Sequence, residues 1–210
     1  DGPILGATPA SSSGWQSSAT SITLSVTDTD GVSQSCYRWD NSTVDNCPVG
    51  TITFNHNDVV NSLCDGSHTL YLWSIDTLSQ SSSGSFATYD CDTQSPTIDT
   101  VGSSLSGNIP TIDWTTSDTG GSDLDFAQIW RIDGVCADTG WSLVSSNINQ
   151  TGASDSGNWS EPTGLADGTY CYGVHVNDNA GNFGTESVAQ RQQVTIVTAP
   201  VSYTHLTLPT

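Results

Sequence analysis

The chain has 210 residues, which is room for one large domain or for two of about 100 residues. Its formal net charge is −19, because 22 acidic residues face three arginines and no lysine. Such a surface repels phosphate backbones and argues against nucleic-acid binding. No segment approaches the ~20 apolar residues of a membrane span, and no signal peptide pattern is present. Seven Trp and six Tyr still supply enough apolar surface for a packed core.

The cysteines indicate an oxidising compartment. There are six, an even number, and none forms the C-x-x-C pairs of zinc ribbons or thioredoxin-like sites. We therefore predict disulfides and an extracellular location, either secreted or at the cell surface. The chain contains no Met, even at position 1, so we expect an internal fragment of a larger protein. The predicted disulfide residues are Cys36, Cys47, Cys64, Cys91, Cys136 and Cys171.

The first predicted element is a strand in "SITLSVT", residues 21–27. Ile22, Leu24 and Val26 alternate with Ser and Thr, which is the pattern of a half-buried strand. An Asp-rich turn, "DTDG", follows, and then "YRWDN" at Tyr37–Asn41. No window of ten or more residues shows a helical stripe with caps, so the chain is predicted to be all-β.

A further strand is predicted in "DGSHTLYLWSID", Asp65–Asp76. Its alternation places Leu70 and Leu72 on one face. Tyr71 and Trp73 lie on the other face with Ile75, where they would form an aromatic strip on the sheet. Flat rings exposed on a sheet can stack on sugars, although burial beneath a loop or a disulfide is the simpler explanation.

These blocks return in the second half of the chain, which indicates an internal repeat of about 100 residues. Asp167–Asp178 aligns without gaps with Asp65–Asp76, and "WRIDG" at 130–134 aligns with "YRWDN". "IDWTTSDTGGSDL" at 112–124 parallels "LSVTDTDGV" at 24–32. In the second copy Tyr170, Tyr172, Val174 and Val176 are predicted to face inward, and Cys171, Gly173, His175 and Asn177 outward.

About seven short strands per 100 residues, separated by Gly, Asp, Ser and Asn turns, are typical of an immunoglobulin-like sandwich. We predict two tandem immunoglobulin-like β-sandwich domains, residues 1–95 and 96–200. The joint falls near Ser95, since Pro96 stops the last strand of one copy and Ile98 begins the next. A linker this short implies end-to-end domains with limited freedom, as in a stalk.

The last ten residues, "VSYTHLTLPT" at 201–210, form a separate segment. They resemble the translation of a sequencing adapter that occurs on unrelated gene fragments read from environmental DNA. We treat them as a non-native tail and exclude them, with His205, from the fold and from any site.

The repeat resembles the bacterial immunoglobulin-like repeats of large extracellular and surface proteins. The resemblance rests on an Asp-rich turn, Tyr/Trp-Arg-x-Asp-Gly/Asn, Asp-Gly-x-His/Tyr with alternation, and a closing Asp-x-Ala-Gly-Asn, and it covers nearly all of residues 1–200. The first copy has "DTLSQ" where the family often shows Asp-x-Ala-Gly-Asn, and the second lacks a cysteine at the position of Cys36. Such repeats serve as spacers, adhesive arms and accessory modules.

The resemblance also implies disulfide pairs Cys36–Cys47, Cys64–Cys91 and Cys136–Cys171. The sequence alone permits other pairings, including Cys36 with Cys91 and Cys47 with Cys64. Because Cys36 and Cys171 fall on outward positions of their strands, we expect these disulfides at the surface rather than between the sheets.

Asp-rich loops at residues 28–31, 89–92, 117–125 and 177–182 offer the hard oxygen ligands that calcium prefers. The candidates are Asp28, Asp30, Asp118 and Asp178. None has EF-hand spacing, and Asp and Asn commonly end strands in Asx turns, which is the simpler explanation. The alternative is structural calcium at the domain joint, where it would hold tandem units rigid.

No catalytic site is predicted. There is no G-x-S-x-G motif, and no serine has the acid–base partners that nucleophilic catalysis needs. Of His56, His68 and His175, the last two have no His or Cys partner at metal spacing in their own blocks, so we expect ordinary strand residues, with His175 on an outward face. His68 occupies the position of Tyr170, where a side chain can bond back to a corner.

The function expected from the sequence is that of a spacer, stalk or adhesive arm in a larger bacterial surface or secreted protein. Its partners would be neighbouring repeats of the same chain, and possible further partners are a host-surface protein or a polysaccharide. The alternatives are a carbohydrate-binding accessory module of a secreted hydrolase and an adhesin domain that contacts another protein directly.

Overall fold

The computed structural model describes residues 1–40, 45–48, 52–55 and 64–198, with the backbone alone for 52–55. Within these ranges the chain forms β-strands, one short 3-10 helix at Val188–Gln190 and no α-helix, which confirms the all-β prediction. The tail at 201–210, with His205, lies outside the described residues, and so does His56.

The first half of the chain forms two antiparallel sheets with a shared core. Sheet β1-β2-β4 packs with sheet β3-β5-β6, and we call this pair the N-terminal sandwich. The strands are β1 (Ile4–Thr8), β2 (Ser21–Thr27), β3 (Val32–Trp39), β4 (Ile52–Asn55), β5 (Gly66–Asp76) and β6 (Ser81–Cys91). Its core cluster contains Ala7, Ile22, Tyr37, Trp39, Leu70, Leu72 and Tyr89.

The second half repeats this arrangement and is called the C-terminal sandwich. Its strands are β7 (Thr97–Ser106), β8 (Ile109–Ser117), β9 (Leu124–Ile132), β10 (Ser142–Leu143), β11 (Ile148–Asn149), β12 (Ser154–Ser160), β13 (Gly168–Asp178), β14 (Phe183–Thr185) and β15 (Gln192–Ile196). One sheet has the order β12-β8-β7, and the other contains β10-β9-β13-β14 with β11 on β9 and β15 on β13. Its core cluster contains Ile98, Ile112, Trp114, Leu124, Ala127, Ile129, Tyr172, Val174, Val176, Val194 and Ile196.

The two sandwiches share one strand connectivity. In each, the first two strands pair on one sheet, and the long strand that follows the Asp-Gly turn lies at the centre of the other. That central strand is β5 in the first copy and β13 in the second, and both begin at Gly and end at Asp. Each pair of neighbouring strands in the described ranges is antiparallel, as in an immunoglobulin-like sandwich.

The structure corrects one part of the sequence alignment by a single residue. Leu72 of β5 and Val174 of β13 are equivalent in the gapless block, and they pair with Tyr37 and Ile129 respectively. Tyr37 therefore corresponds to Ile129 rather than to Trp130. Because side chains alternate along a strand, a one-residue slip moves a side chain to the opposite face, so the motif match had compared inward with outward positions.

The structure contains disulfides Cys36–Cys47, Cys64–Cys91 and Cys136–Cys171, the pairing that the family resemblance implies. The expectation that Cys36 and Cys171 lie at the surface is wrong, since Cys36 is 2% exposed and Cys171 is fully buried. Cys171 pairs on both sides in the sheet, with Ile132 and Gln193, and the segment that carries Cys136 covers it. Both faces of this part of the sheet are therefore covered.

Candidate metal centre at the joint between the sandwiches

The segment between β6 and β7, residues 92–96, is anchored first to the N-terminal sandwich. Oδ1 of Asp65 accepts hydrogen bonds from the amide and the hydroxyl of Thr93 at 2.7 and 2.8 Å, and Oδ2 accepts one from the Gln94 side chain at 2.9 Å. Burial acts to raise the pKa of Asp65, but these hydrogen bonds outweigh it and hold the pKa below its ordinary value. The amide of Asp92 also donates to the Gln16 carbonyl at 2.9 Å.

The same segment is bound to the C-terminal sandwich through Asp92. Oδ2 of Asp92 accepts a hydrogen bond from the Ser122 amide at 3.0 Å, and its backbone carbonyl accepts one from the Asn182 side chain at 2.8 Å. Trp15 closes the joint from the N-terminal side: its ring lies 3.3 Å from the position that a Cβ on Gly121 would take. The linker is thus fixed at both ends by named contacts, and its one buried carboxylate enters the second sandwich.

Three buried carboxylates meet at this joint. Asp92, Asp118 and Asp178 each offer an oxygen within 4.8 Å of the other two. Their exposed fractions are 0%, 5% and 2%. Asp118 follows β8 and Asp178 ends β13, so two loops at one end of the C-terminal sandwich hold two of the carboxylates while the linker supplies the third.

The hydrogen bonds within this cluster are unevenly distributed. Oδ1 of Asp178 accepts from the Asn182 amide and Oδ2 from the Asn182 side chain, both at 2.8 Å. Asp118 receives a long bond from the Gly120 amide to Oδ1 at 3.4 Å, and the Thr119 amide also contributes. Its Oδ2 is buried and has no hydrogen-bond partner among the described residues, nor does the buried hydroxyl of Ser122. A buried carboxylate oxygen without a donor is costly unless a cation satisfies it.

The electrostatics of the cluster are those of an uncompensated anionic site. Burial raises the pKa of Asp118, and the charges of Asp92 and Asp178 raise it further. Burial also raises the pKa of Asp178, again with a contribution from Asp92. The carboxylate oxygens lie within 4.8 Å of one another. At that distance and an effective dielectric constant of about 20, two unit charges repel by roughly 3 kcal/mol, which is a large fraction of a typical domain's stability.

The chain's own cations are engaged elsewhere. Arg38 lies 3.7 Å from Asp45, Arg131 lies 2.6 Å from Glu161, and Arg191 lies 2.9 Å from Asp138. These are all of its arginines, and the sequence has no lysine. Three hard oxygen donors without a side-chain cation in the described part of the chain have the chemistry of a divalent-cation site, and carboxylates on loops suit Ca²⁺ best.

Two of the four calcium candidates from the sequence, Asp118 and Asp178, lie in this cluster. Asp28 and Asp30 lie at the other end of the N-terminal sandwich, with Asp76. Asp92 lies in one of the Asp-rich loops noted in the sequence, "YDCD" at 89–92, but neither Asp92 nor Asp76 is among the four predicted ligands. Asp76 had a signal, because it aligns with Asp178 at the end of the repeated block, whereas only the path of the linker brings Asp92 to the others.

The histidines differ from expectation in part. Nδ1 of His68 lies 2.8 Å from an oxygen of Asp40, and the bond back to the corner is made by the equivalent Tyr170, whose hydroxyl donates to the Ala166 carbonyl at 3.1 Å. His175 is not an open surface residue. Its ring lies between Trp130 and Phe183, at centroid distances of 5.0 and 5.1 Å, and burial lowers its pKa to about 4.

The buried imidazole of His175 predicts a specific pH dependence. Its pKa is about 4 in the fold and about 6.5 when unfolded, so its contribution to stability is present above pH 6.5 and is lost as the pH falls toward 4. As the pH is lowered from 7 to 5, the free energy of unfolding of His175→Gln should rise by about 1–2 kcal/mol relative to that of the wild type, as measured by chemical unfolding. Oε2 of Glu186 lies 3.6 Å from Nε2 of His175, and its raised pKa acts in the opposite direction, so the measured difference includes the response of Glu186 to the substitution. Parallel pH profiles would contradict the assignment.

The predicted aromatic strip is partly covered. Leu70 and Leu72 are in the core, and Tyr71 and Trp73 are half-buried on the opposite face. The Arg38 guanidinium lies 5.3 Å from the centre of the Tyr71 ring, and the Trp73 indole donates to Asp45 at 3.0 Å. Both rings therefore have contacts within the chain itself.

No protein-family model matches the chain, and no curated protein matches it. Among solved structures, it is similar to the fibronectin(III)-like modules of CbhA from Clostridium thermocellum, with 12% identity, a TM-score of 0.41, and coverage of 98% of this chain and 100% of that one. It is also similar to latent PorU from Porphyromonas gingivalis, with 18% identity, a TM-score of 0.34, and coverage of 90% and 19%. A DUF3823 family protein from Bacteroides ovatus shows 13% identity, a TM-score of 0.36, and coverage of 80% and 90%.

All three TM-scores lie below 0.5. At this level of similarity the three structures assign no function to the chain. None of its described helices is long and apolar enough to span a bilayer.

Proposed function

We propose that the chain is a non-catalytic extracellular spacer, part of a stalk or adhesive arm, in which Ca²⁺ bound by Asp92, Asp118 and Asp178 stiffens the joint between two domains. The domains are residues 1–95 and 96–200. The observation that carries the proposal is the buried Asp92 carboxylate, because it belongs to the linker and sits between two carboxylates of the following sandwich.

Because the cluster lies at the joint, a bound cation would change the relative orientation of the two sandwiches rather than catalyse a reaction. The backbone of residues 92–94 is bound to Asp65 on one side and to Ser122 and Asn182 on the other. With a cation present, the linker carboxylate is attracted to the C-terminal sandwich; without one, it is repelled by two buried negative charges. Cation binding therefore favours one relative orientation of the two sandwiches, as a spacer requires.

Other features support an extracellular setting. Three disulfides close loops in a chain whose described part has no free cysteine. Each sandwich has its own core cluster, which supports two separate domains. Millimolar calcium, the concentration range of weak extracellular sites, would suffice to load such a joint.

Small-angle scattering of the full chain tests the proposal. We expect calcium to narrow the distribution of interatomic distances relative to chelator, because the joint then adopts one orientation. Asp92→Asn should abolish this response while both sandwiches remain folded. Asp113→Asn is the matched control, since it removes the same charge from an exposed position in β8. Identical wild-type scattering in calcium and in chelator would refute a calcium-stiffened spacer.

A further inference from the structure

A second group of three carboxylates lies at the far end of the N-terminal sandwich. Asp28, Asp30 and Asp76 each offer an oxygen within 4.8 Å of the other two. Asp76 ends β5, the strand that begins beside Asp65 at the joint, so this group is separated from the joint by the length of the strand. Asp76 is 2% exposed, Asp28 is half-buried and Asp30 is exposed.

The loops that carry this group have the same hydrogen-bond pattern as the loops at the joint. Oδ1 of Asp28 accepts from the amide two residues later at 2.8 Å, as Oδ1 of Asp118 does at 3.4 Å. Oδ1 of Asp76 accepts from the amide four residues later at 2.7 Å, as Oδ1 of Asp178 does at 2.8 Å. Asp28 is therefore the structural equivalent of Asp118, and Asp76 of Asp178.

The third carboxylate has a different origin in the two groups. The residue two positions after the first Asp is Asp30 in the N-terminal sandwich and Gly120 in the C-terminal sandwich. A Cβ on Gly120 would overlap the carboxylate of Asp92. The linker carboxylate thus takes the place that a side chain on this loop residue would fill, and in the N-terminal sandwich Asp30 supplies that carboxylate from the loop itself.

An unpartnered buried oxygen gives independent support for a ligand at the second group. Oδ1 of Asp76 accepts from the Leu78 and Gln80 amides at 2.8 and 2.7 Å, which leaves Oδ2 for the cluster. Oδ2 is buried and has no hydrogen-bond partner among the described residues. Asp76 is itself 98% buried, since only 2% of it is exposed. A carboxylate oxygen in this setting, beside two further carboxylates, calls for a cation.

We propose that Asp28, Asp30 and Asp76 form a second calcium site, which binds more weakly than the joint site and needs no residue from the linker. It extends the proposed function because both sites use one loop arrangement. The affinity is lower because Asp28 and Asp30 are open to water, so the cation keeps more of its hydration and the ligands are less rigidly held. The chain then binds calcium in two steps, of which only the tighter one acts on the joint.

Calorimetric titration of the full chain with calcium chloride tests this inference. The wild type should show two sites whose dissociation constants differ by about tenfold or more, as expected from ligand charge and rigidity. Asp28→Asn should remove the weaker site alone, and Asp118→Asn the tighter one alone. Asp30→Asn is the milder second variant, since the hydrogen bonds of Asp30 come from its backbone. Asp113→Asn should keep both sites.

The outcomes separate this inference from the proposed function. A single site that disappears in Asp118→Asn would overturn the second site and leave the joint site standing. A single site that disappears in Asp28→Asn and Asp30→Asn would support the second site and refute calcium at the joint. If the wild type releases no binding heat and its amide resonances at Leu78 and Gln80 do not move with calcium, the second site is refuted.

Discussion

Calcium at about one hundred times its dissociation constant is expected to stabilise the C-terminal sandwich by about 2.7 kcal/mol. For a domain of this size, that corresponds to a rise of roughly 10–20 °C in the midpoint of thermal unfolding. The effect is large because the cation binds three buried carboxylates that the unfolded chain does not hold together. Differential scanning calorimetry in calcium and in chelator measures it.

The variant Asp118→Asn should be at least as stable as the wild type in chelator and less stable than the wild type in calcium. In chelator it removes one of three mutually repelling buried charges, so its midpoint should equal or exceed that of the wild type. In calcium it lacks a charged ligand, so its midpoint should fall below that of the wild type. Asp113→Asn changes the net charge equally at an exposed site and should retain the full calcium response. A wild-type midpoint that calcium leaves unchanged would contradict the joint site.

Loss of the Cys136–Cys171 disulfide is expected to destabilise the C-terminal sandwich by about 4 kcal/mol, from the loop entropy of the unfolded chain. The two cysteines are 35 residues apart. Ala is the suitable replacement at Cys171, since that position is fully buried and a Ser hydroxyl there would need a partner. Urea unfolding of Cys136→Ala/Cys171→Ala, with calcium held constant, measures the loss.

The Cys36–Cys47 disulfide provides the comparison. It spans 11 residues, so the same loop-entropy argument gives about 3 kcal/mol for Cys36→Ala/Cys47→Ala in the N-terminal sandwich. When the unfolding of each sandwich is followed separately, the loss of stability should therefore be larger for Cys136–Cys171 than for Cys36–Cys47. An unchanged urea midpoint after removal of Cys136–Cys171 would show that the C-terminal core alone determines the stability.

Much of the fold follows from local pattern. Alternation over Gly168–Asp178 predicted which face of β13 enters the core, and Tyr172, Val174 and Val176 are fully buried there. The opposite face was predicted to be open because a period of two cannot report what covers a strand from outside. Cys171 is covered by the segment of Cys136, and His175 by the rings of Trp130 and Phe183, so the burial of both residues was wrongly predicted.

In the candidate metal centre, too, some residues could be predicted from the sequence and others could not. Asp28 corresponds to Asp118 through the hydrogen bonds of their loops, because the parallel between residues 24–32 and 112–124 contains an insertion. Asp76 and Asp178 end the gapless repeat block, so this pair is recoverable from an alignment. Asp92 has no such signal, since Val197 follows the equivalent strand of the second copy and is 77% exposed. Asp92 reaches the other two carboxylates only because of the path that the linker takes after Cys91.

The sequence by itself determined the all-β class, the repeat and the acidic character, because alternation, turn residues and charge are local or additive properties of the chain. Only the tertiary structure decided which carboxylates meet, since that depends on how loops from two strand ends and the linker converge. The one-residue correction between Tyr37 and Ile129 has the same cause: strand register is set by pairing across the sheet, and similar residue types in a motif do not specify it.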